Sequence, residues 1–283
     1  MWRAPLIALT FVTLCSCIEA SNDPVAAACE GGAPARVLEI YPTSDTLPEN
    51  ILRFYVYFDA PMRKETVFPE IVLEDEKGTA IDGVFLANRY SLWSPDGTRL
   101  TLLLDPGRVK TGLEASADLG RAIENGHRYS LVVGAGVQSA AGCEMSSPYA
   151  KSFIAAAVDV SAPDPTRWGI EPPVSGTRDP LKVRLDGIHD HVSLAYRIRV
   201  QTLSGDPVPG RIDVTAGETE WQFTPRAPWQ AGAFSLEVDS LLEDVAGNRS
   251  TGVFDDASGD SRRRQAAATP IKLQFRPRPQ ATD

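Results

Sequence analysis

The chain has 283 residues, 43% of them hydrophobic, which is enough for about two domains with modest cores and too long for one small core. With 28 Lys and Arg against 37 Asp and Glu the formal charge is −9 and no face reads as a basic stripe, which excludes nucleic acid as a partner and anionic headgroups as an electrostatic docking surface. Three His and four Cys leave little material for acid–base or metal chemistry, and no cofactor is implied.

The first sixteen residues carry one cation, Arg3, followed by the apolar run Pro5 to Leu14. That run has the length of a signal-peptide core and falls short of the ~18–20 residues that span a membrane. Residues 1–16 are therefore read as a secretory signal peptide. The segment ends in Leu14-Cys15-Ser16-Cys17, which resembles a bacterial lipobox: an apolar residue three before the Cys, a small residue just before it, and the Cys itself. The resemblance implies that Cys17 becomes the lipidated N-terminus, its thiol carrying a diacylglycerol and its amine a further acyl chain such as palmitate. More than one chain is what stable membrane anchoring requires. Ordinary cleavage after Ala20 is the alternative. Ile18 stands where the same resemblance would put Asp for inner-membrane retention, which favours the outer membrane of a bacterial cell envelope. Residues 17–35 then form a lipidated tether, and loss of Arg3 takes the mature charge to −10.

Past the signal, Cys29 and Cys143 form an even pair in a secreted chain, where oxidised pairing is the default. A Cys29–Cys143 disulfide would close a loop of over a hundred residues, which chain-entropy models value at ~4–5 kcal/mol. Two free buried thiols are the alternative.

From Ala35 onward short apolar runs alternate with period two. Predicted strands are Val37–Ile40, Leu52–Phe58, Ile71–Leu73, Leu100–Leu104, Tyr129–Val133, Leu181–Leu185, Tyr196–Val200, Ile212–Val214, Trp221–Phe223, Phe234–Val238 and Ile271–Phe275. Turn residues separate nearly all of them, as at Asn125-Gly126 and Gly247-Asn248. The one predicted helix is weak and lies around Leu113–Glu124. An internal repeat organises the strands. Residues 78–84 match 205–211 with both glycines in the same places, an offset of 127, and Val133 to Gly142 matches Val238 to Gly247 at an offset of 105. The first copy thus carries 22 extra residues, placed between Pro106 and Tyr129. About seven strands in about 100 residues per copy is the pattern of an Ig-like sandwich, so the fold class is all-β: two tandem Ig-like β-sandwich domains. The first spans 36–158 with an insertion near 107–124, the linker 159–167 is stiffened by its prolines, and the second spans 168–277.

Pro42, the run Phe58-Asp59-Ala60-Pro61-Met62 followed by Thr66, the Gly-x-x-x-x-Gly hairpin and Asp244-Val245-Ala246-Gly247-Asn248 resemble the bacterial Ig-like domains of surface-layer proteins. The resemblance covers about 36–157 and 168–276. It implies a sandwich fold and leaves function open. The first copy departs from it at Ala140-Ala141-Gly142-Cys143, which lacks the Asp and Asn. The second departs at Leu185-Asp186-Gly187-Ile188, which lacks the Pro-Met step, and in the long loop Asp255–Pro270.

Candidate chemistry is sparse. Nucleophilic catalysis needs a base beside the nucleophile, yet no Gly-x-Ser-x-Gly elbow exists and His127 opens a strand after a turn glycine, as an exposed edge residue would. No motif selects a carboxylate pair, so the reading is non-enzymatic. His189-Asp190-His191 could set two imidazoles, His189 and His191, on one strand face to bind Zn or Cu with a third ligand such as Asp186 or Asp190; a polar turn between strands explains it equally well. Asp244–Asn248 resembles half a calcium loop and is better explained as a turn held by Asp and Asn side chains. Trp168 and Trp229 could form a glycan-binding face, whereas the alternation around Trp221 points that ring into the core. Arg262-Arg263-Arg264 reads as a solvated charge run. The sequence therefore describes an envelope lipoprotein serving as a spacer, structural or interaction module, its partners being the membrane through the lipid anchor and an envelope protein or polysaccharide. The alternative is an accessory protein that recognises glycan or metal through the second domain.

Overall fold

The computed structural model describes residues 33–86, 92–109, 120–254 and 269–280. The signal peptide, Cys17, Cys29, most of the predicted helix at Leu113–Glu124 and Arg262–Arg264 lie outside them. The first half holds β1 (Val37–Tyr41), β2 (Thr46–Pro48), β3 (Arg53–Phe58), β4 (Ile71–Glu74), β5 (Arg99–Leu103), β6 (Arg128–Val133) and β7 (Tyr149–Ala156). They form two sheets, β1-β3-β5 and β2-β7-β6-β4, antiparallel except for the parallel β2–β7 pair. The second half holds β8 (Gly169–Glu171), β9 (Leu181–Arg184), β10 (Ile198–Thr202), β11 (Gly210–Thr215), β12 (Glu220–Pro225), β13 (Phe234–Val238) and β14 (Ile271–Phe275). Its sheets are β8-β9-β12-β11 and β10-β13-β14.

An Ig constant-type sandwich places its first, second, fifth and fourth strands in one sheet and its third, sixth and seventh in the other. The second half reproduces that order strand for strand. The first half keeps it with β2 added beside β7 and the fourth strand reduced to the isolated bridges Phe85–Leu104 and Trp93–Leu100. Each sandwich buries its own cluster of side chains: Phe54, Leu102, Leu131 and Phe153 lie in one, Leu181, Leu194, Trp221 and Leu236 in the other. The tandem all-β Ig-like architecture is therefore present in the strand pairing itself.

The repeat is visible hydrogen bond by hydrogen bond. After β4, Gly78 N–H donates to Asp75 O and Ile81 N–H to Leu73 O; after β10, Gly205 donates to Thr202 O and Val208 to Val200 O, all at the offset of 127. The turns after β6 and β13 match at the offset of 105: Ser139 with Cys143 O and Gly142 with Ser139 O in one, Asp244 with Asn248 O and Gly247 with Asp244 O in the other. The bridges Met62–Ser139 and His189–Asp244 close the same corner in each copy. One expectation needs correction. Phe54 pairs with Leu102 and Leu181 with Phe223, so the fifth strands stand at an offset of 121. The extra residues of the first copy are therefore split, six before β5 and sixteen between β5 and β6.

Two elements escape the apolar pattern. In β7 the inward face carries Lys151 and Phe153 while Ile154 points outward and is 40% exposed. Lys151 tolerates the interior because its Nζ donates to the carbonyls of Thr43 and Ser44 at 3.0 and 3.1 Å. Residues 191–197, read from sequence as a turn running into a strand at Tyr196, form the helix His191–Arg197, capped by the Asp190 carboxylate accepting from Ser193 N–H; β10 begins only at Ile198.

Gly142 and Gly247 occupy equivalent left-handed positions, with φ of +81° and +78°. Gly142→Ala is expected to cost about 1–2 kcal/mol of backbone strain. Gly247→Ala should cost more in urea unfolding, because its new Cβ would also overlap the Leu52 side chain of the other sandwich. Equal losses would contradict this packing.

Candidate functional site at the joint between the sandwiches

On β3 the residues between the core positions point away from the first core, yet Tyr55 is 4% exposed. The second sandwich covers it. Tyr55 O–H donates to the Asp190 carboxylate, 3.0 and 2.8 Å from its two oxygens, and the Arg53 guanidinium reaches Glu243, with its Nε 3.7 Å from Asp190. Beside them Tyr41 stacks on His191 at 3.5 Å between ring centroids and Tyr57 meets the same ring edge-on. Thr43 donates its N–H and hydroxyl to the two carboxylate oxygens of Glu218, at 2.7 and 2.9 Å. Glu218 is itself buried with φ at +61°, a left-handed position for a residue with a side chain, held by this cross-joint pair. Backbone joins backbone where Leu52 N–H donates to Val245 O at 2.9 Å.

The linker is clamped in the same network. Asn50 exchanges two 2.9 Å hydrogen bonds with the backbone of Asp159, and Asn248 Nδ2 donates to the same Asp159 carbonyl. Asn248 also donates its N–H and Nδ2–H to the Asp244 carboxylate and accepts from Phe254 N–H. The turn reading of Asp244–Asn248 thus describes its geometry, and the turn is buried against the first sandwich.

Burial sets the electrostatics. It raises the Asp190 carboxyl despite the Arg53 charge beside it, and it pushes the Asp244 carboxyl up to about 7 against the hydrogen bonds from Asn248. Burial also raises the Tyr55 phenol, reinforced by Asp190. Burial disfavours the Arg53 cation, but Asp190, Tyr55 and Glu243 outweigh it and hold the guanidinium charged.

The structure separates the candidate metal pair. His189 turns back to Gly187 O and Asp186, whereas His191 crosses to Tyr41, because the helix capped at Asp190 starts between them and ends the strand alternation that would have aligned them. Among the described residues no group of three or more His, Cys, Asp or Glu side chains forms a metal-ligating set. The candidate glycan face is likewise corrected. Trp168 donates its indole N–H to Asp186, and Trp229 lies 2% exposed among Phe223, Phe234 and Phe275 with its N–H on Asp179 O, so both rings are core. His127 is a half-exposed strand-edge residue 4.0 Å from Glu76. Cys143 is buried in the turn after β6, and its expected partner Cys29 lies outside the described residues. Sequence reasoning missed Arg53, Tyr55, Glu218 and Asn50, and it singled out Asp190 only as a third metal ligand, whereas the structure makes it a helix cap and the acceptor for Tyr55. Three tyrosines, Tyr41, Tyr55 and Tyr57, on what reads as the solvent face of two strands were the available signal that this face is covered.

No family model matches the chain and no curated protein matches it. Among solved structures, native alpha-2-macroglobulin from Escherichia coli is 14% identical over 73% of this chain and 66% of its own, with a TM-score of 0.29. The S-layer protein rSbsC is 13% identical over 73% of this chain and 24% of its own, at 0.31. The titin domains z1z2 in complex with telethonin are 13% identical over 74% and 90%, at 0.24. Likeness at these scores carries no argument about function, and the fold assignment rests on the strand pairing.

The joint makes stability depend on pH in a stated direction. With Asp244 at about 7 in the folded chain against an ordinary 3.8, the native state keeps a proton that the unfolded chain has released between about pH 4 and 7. Stability therefore falls as pH rises through that window and levels off above it. Asp190 adds in the same direction. Urea unfolding at about pH 5 and 8 should show the loss, and Asp244→Asn should flatten it; an unchanged slope in the variant would contradict the assignment.

Proposed function

We propose that this chain is a non-enzymatic, lipid-anchored lipoprotein of the bacterial cell envelope whose two Ig-like sandwiches act together as a spacer or interaction module. The observation that carries the reading is the joint. Arg53, Tyr55, Asp190, Glu218 and Glu243 are buried or half-buried polar side chains, and each is occupied by a partner in the other sandwich. Groups committed in this way hold orientation; they are not poised to exchange protons with a substrate.

The lipobox resemblance at Cys17 supports attachment at the N-terminus, and Ile18 after it supports the outer membrane. A Cys29–Cys143 disulfide would tie the tether to the turn after β6, so that the anchor pulls on a sandwich edge and not on a loose strand end. Such a module would set the distance between the membrane and an envelope protein or polysaccharide.

Cys17→Ser should abolish acylation and move the full-length protein from the detergent phase to the aqueous phase in phase partitioning. A variant that still partitions fully with membranes would overturn the lipoprotein reading. Intact mass after alkylation without reductant should show Cys29 and Cys143 protected; both thiols alkylated in protein from the native envelope would remove the disulfide from the proposal.

A further inference from the structure

The linker closes over a small pocket of about 120 Å³ that lies beside the joint. Three segments meet there: the linker with Asp159 and Ala162, the turn after β9 with Asp186 and His189, and the turn after β13 with Asp244. Apart from Ser161, the polar side chains lining it are three carboxylates and one imidazole, and no Lys or Arg is among the described lining residues.

The state of the imidazole follows from its neighbours. His189 Nδ1 lies 3.0 Å from the Gly187 carbonyl oxygen, which can only accept, so Nδ1 carries the proton and Nε2 presents a lone pair. His189 is 1% exposed, and Nε2 has no hydrogen-bond partner. It faces Asp186 Oδ1 at 3.6 Å. A buried acceptor that faces a carboxylate oxygen at that distance calls for a donor between them. Asp186 is held for the purpose, because Trp168 Nε1–H and Asp164 N–H fix its two oxygens at 2.8 and 2.7 Å.

A bare metal ion fits this arrangement poorly. It needs several side chains converging at about 2.0–2.2 Å, and no such set exists among the described residues. An –NH₃⁺ group fits better: it has three donors and no acceptor, and its hydrogen bonds of about 2.7–3.2 Å reach across wider spacing. The volume is several times the ~10–15 Å³ that one water requires, which leaves room for the ammonium and its first methylene.

We propose that this pocket binds a primary ammonium group, presented by a free alkylamine or by a lysine side chain of a partner protein. The site uses residues from the linker and from the second sandwich, so an occupant would tighten the hold on the linker.

The test is calorimetric titration of the purified full chain with n-butylamine, with N-acetyl-lysine methylamide, and with tetramethylammonium, which is a cation of comparable charge without N–H donors. The expected result is saturable one-site binding of the primary amines and none of tetramethylammonium. Affinity should fall at least about tenfold in Asp186→Asn, the loss expected for one charge-assisted hydrogen bond. Ala162→Trp, which fills the mouth from an exposed position and leaves every acceptor in place, should abolish binding and so guards against a folding defect in the first variant. Preference for the lysine mimic points to a partner protein and preference for butylamine to a free amine; either supports the shared chemistry. The proposal is overturned by absence of saturable binding, by equal binding of tetramethylammonium, by binding unchanged in Ala162→Trp, or by saturable Zn²⁺ binding in place of the amines.

Discussion

Asp190 is the residue on which the relation between the two sandwiches depends. One carboxylate caps the helix His191–Arg197, accepts the Tyr55 hydroxyl from the other sandwich and faces the Arg53 guanidinium. It is 3% exposed. A buried charged group of this kind adds little net stability compared with an apolar replacement, but removing one of its partners leaves the rest uncompensated at about 3–5 kcal/mol. Its effect is therefore positional. Any relative placement that separates Tyr55 and Arg53 from Asp190 strands a carboxyl group in the interior, and the same holds for Glu218 once Thr43 is withdrawn.

The two copies spend one inherited geometry on different ends. The turn after each sixth strand has the same backbone hydrogen bonds and the same left-handed glycine. In the first copy Ser139 and Cys143 occupy its ends; in the second, Asp244 and Asn248 do. The amide of Asn248 reaches both its own turn and the linker carbonyl of Asp159, which a cysteine could not do. Likewise Met62 fills an apolar corner of the first sandwich where His189 fills the corresponding corner of the second. Divergence at these few positions turns the corner of the second copy toward the joint.

Much of the fold was legible because burial on a sheet leaves a period-two signature, and nearly all of the strands with apolar alternation were found where expected. The strand β7 was not, since Lys151 faces inward on carbonyl partners and Ile154 faces out, which inverts the pattern. The helix after Asp190 was masked by the resemblance of His-Asp-His to a polar turn, although an Asp at that point is also a strong cap. The joint was the least legible part. A tyrosine that reads as solvent-facing on one strand becomes core only when a second body covers it, and alternation within a strand carries no information about that second body.

If the buried network at the joint holds in solution, the two sandwiches reorient as one body. Residual dipolar couplings measured on the full chain test it most directly, by fitting an alignment tensor to each sandwich separately. The account predicts the same tensor magnitude and orientation for both. Tensors of unequal magnitude would show that the sandwiches reorient independently and that the buried network does not hold in solution.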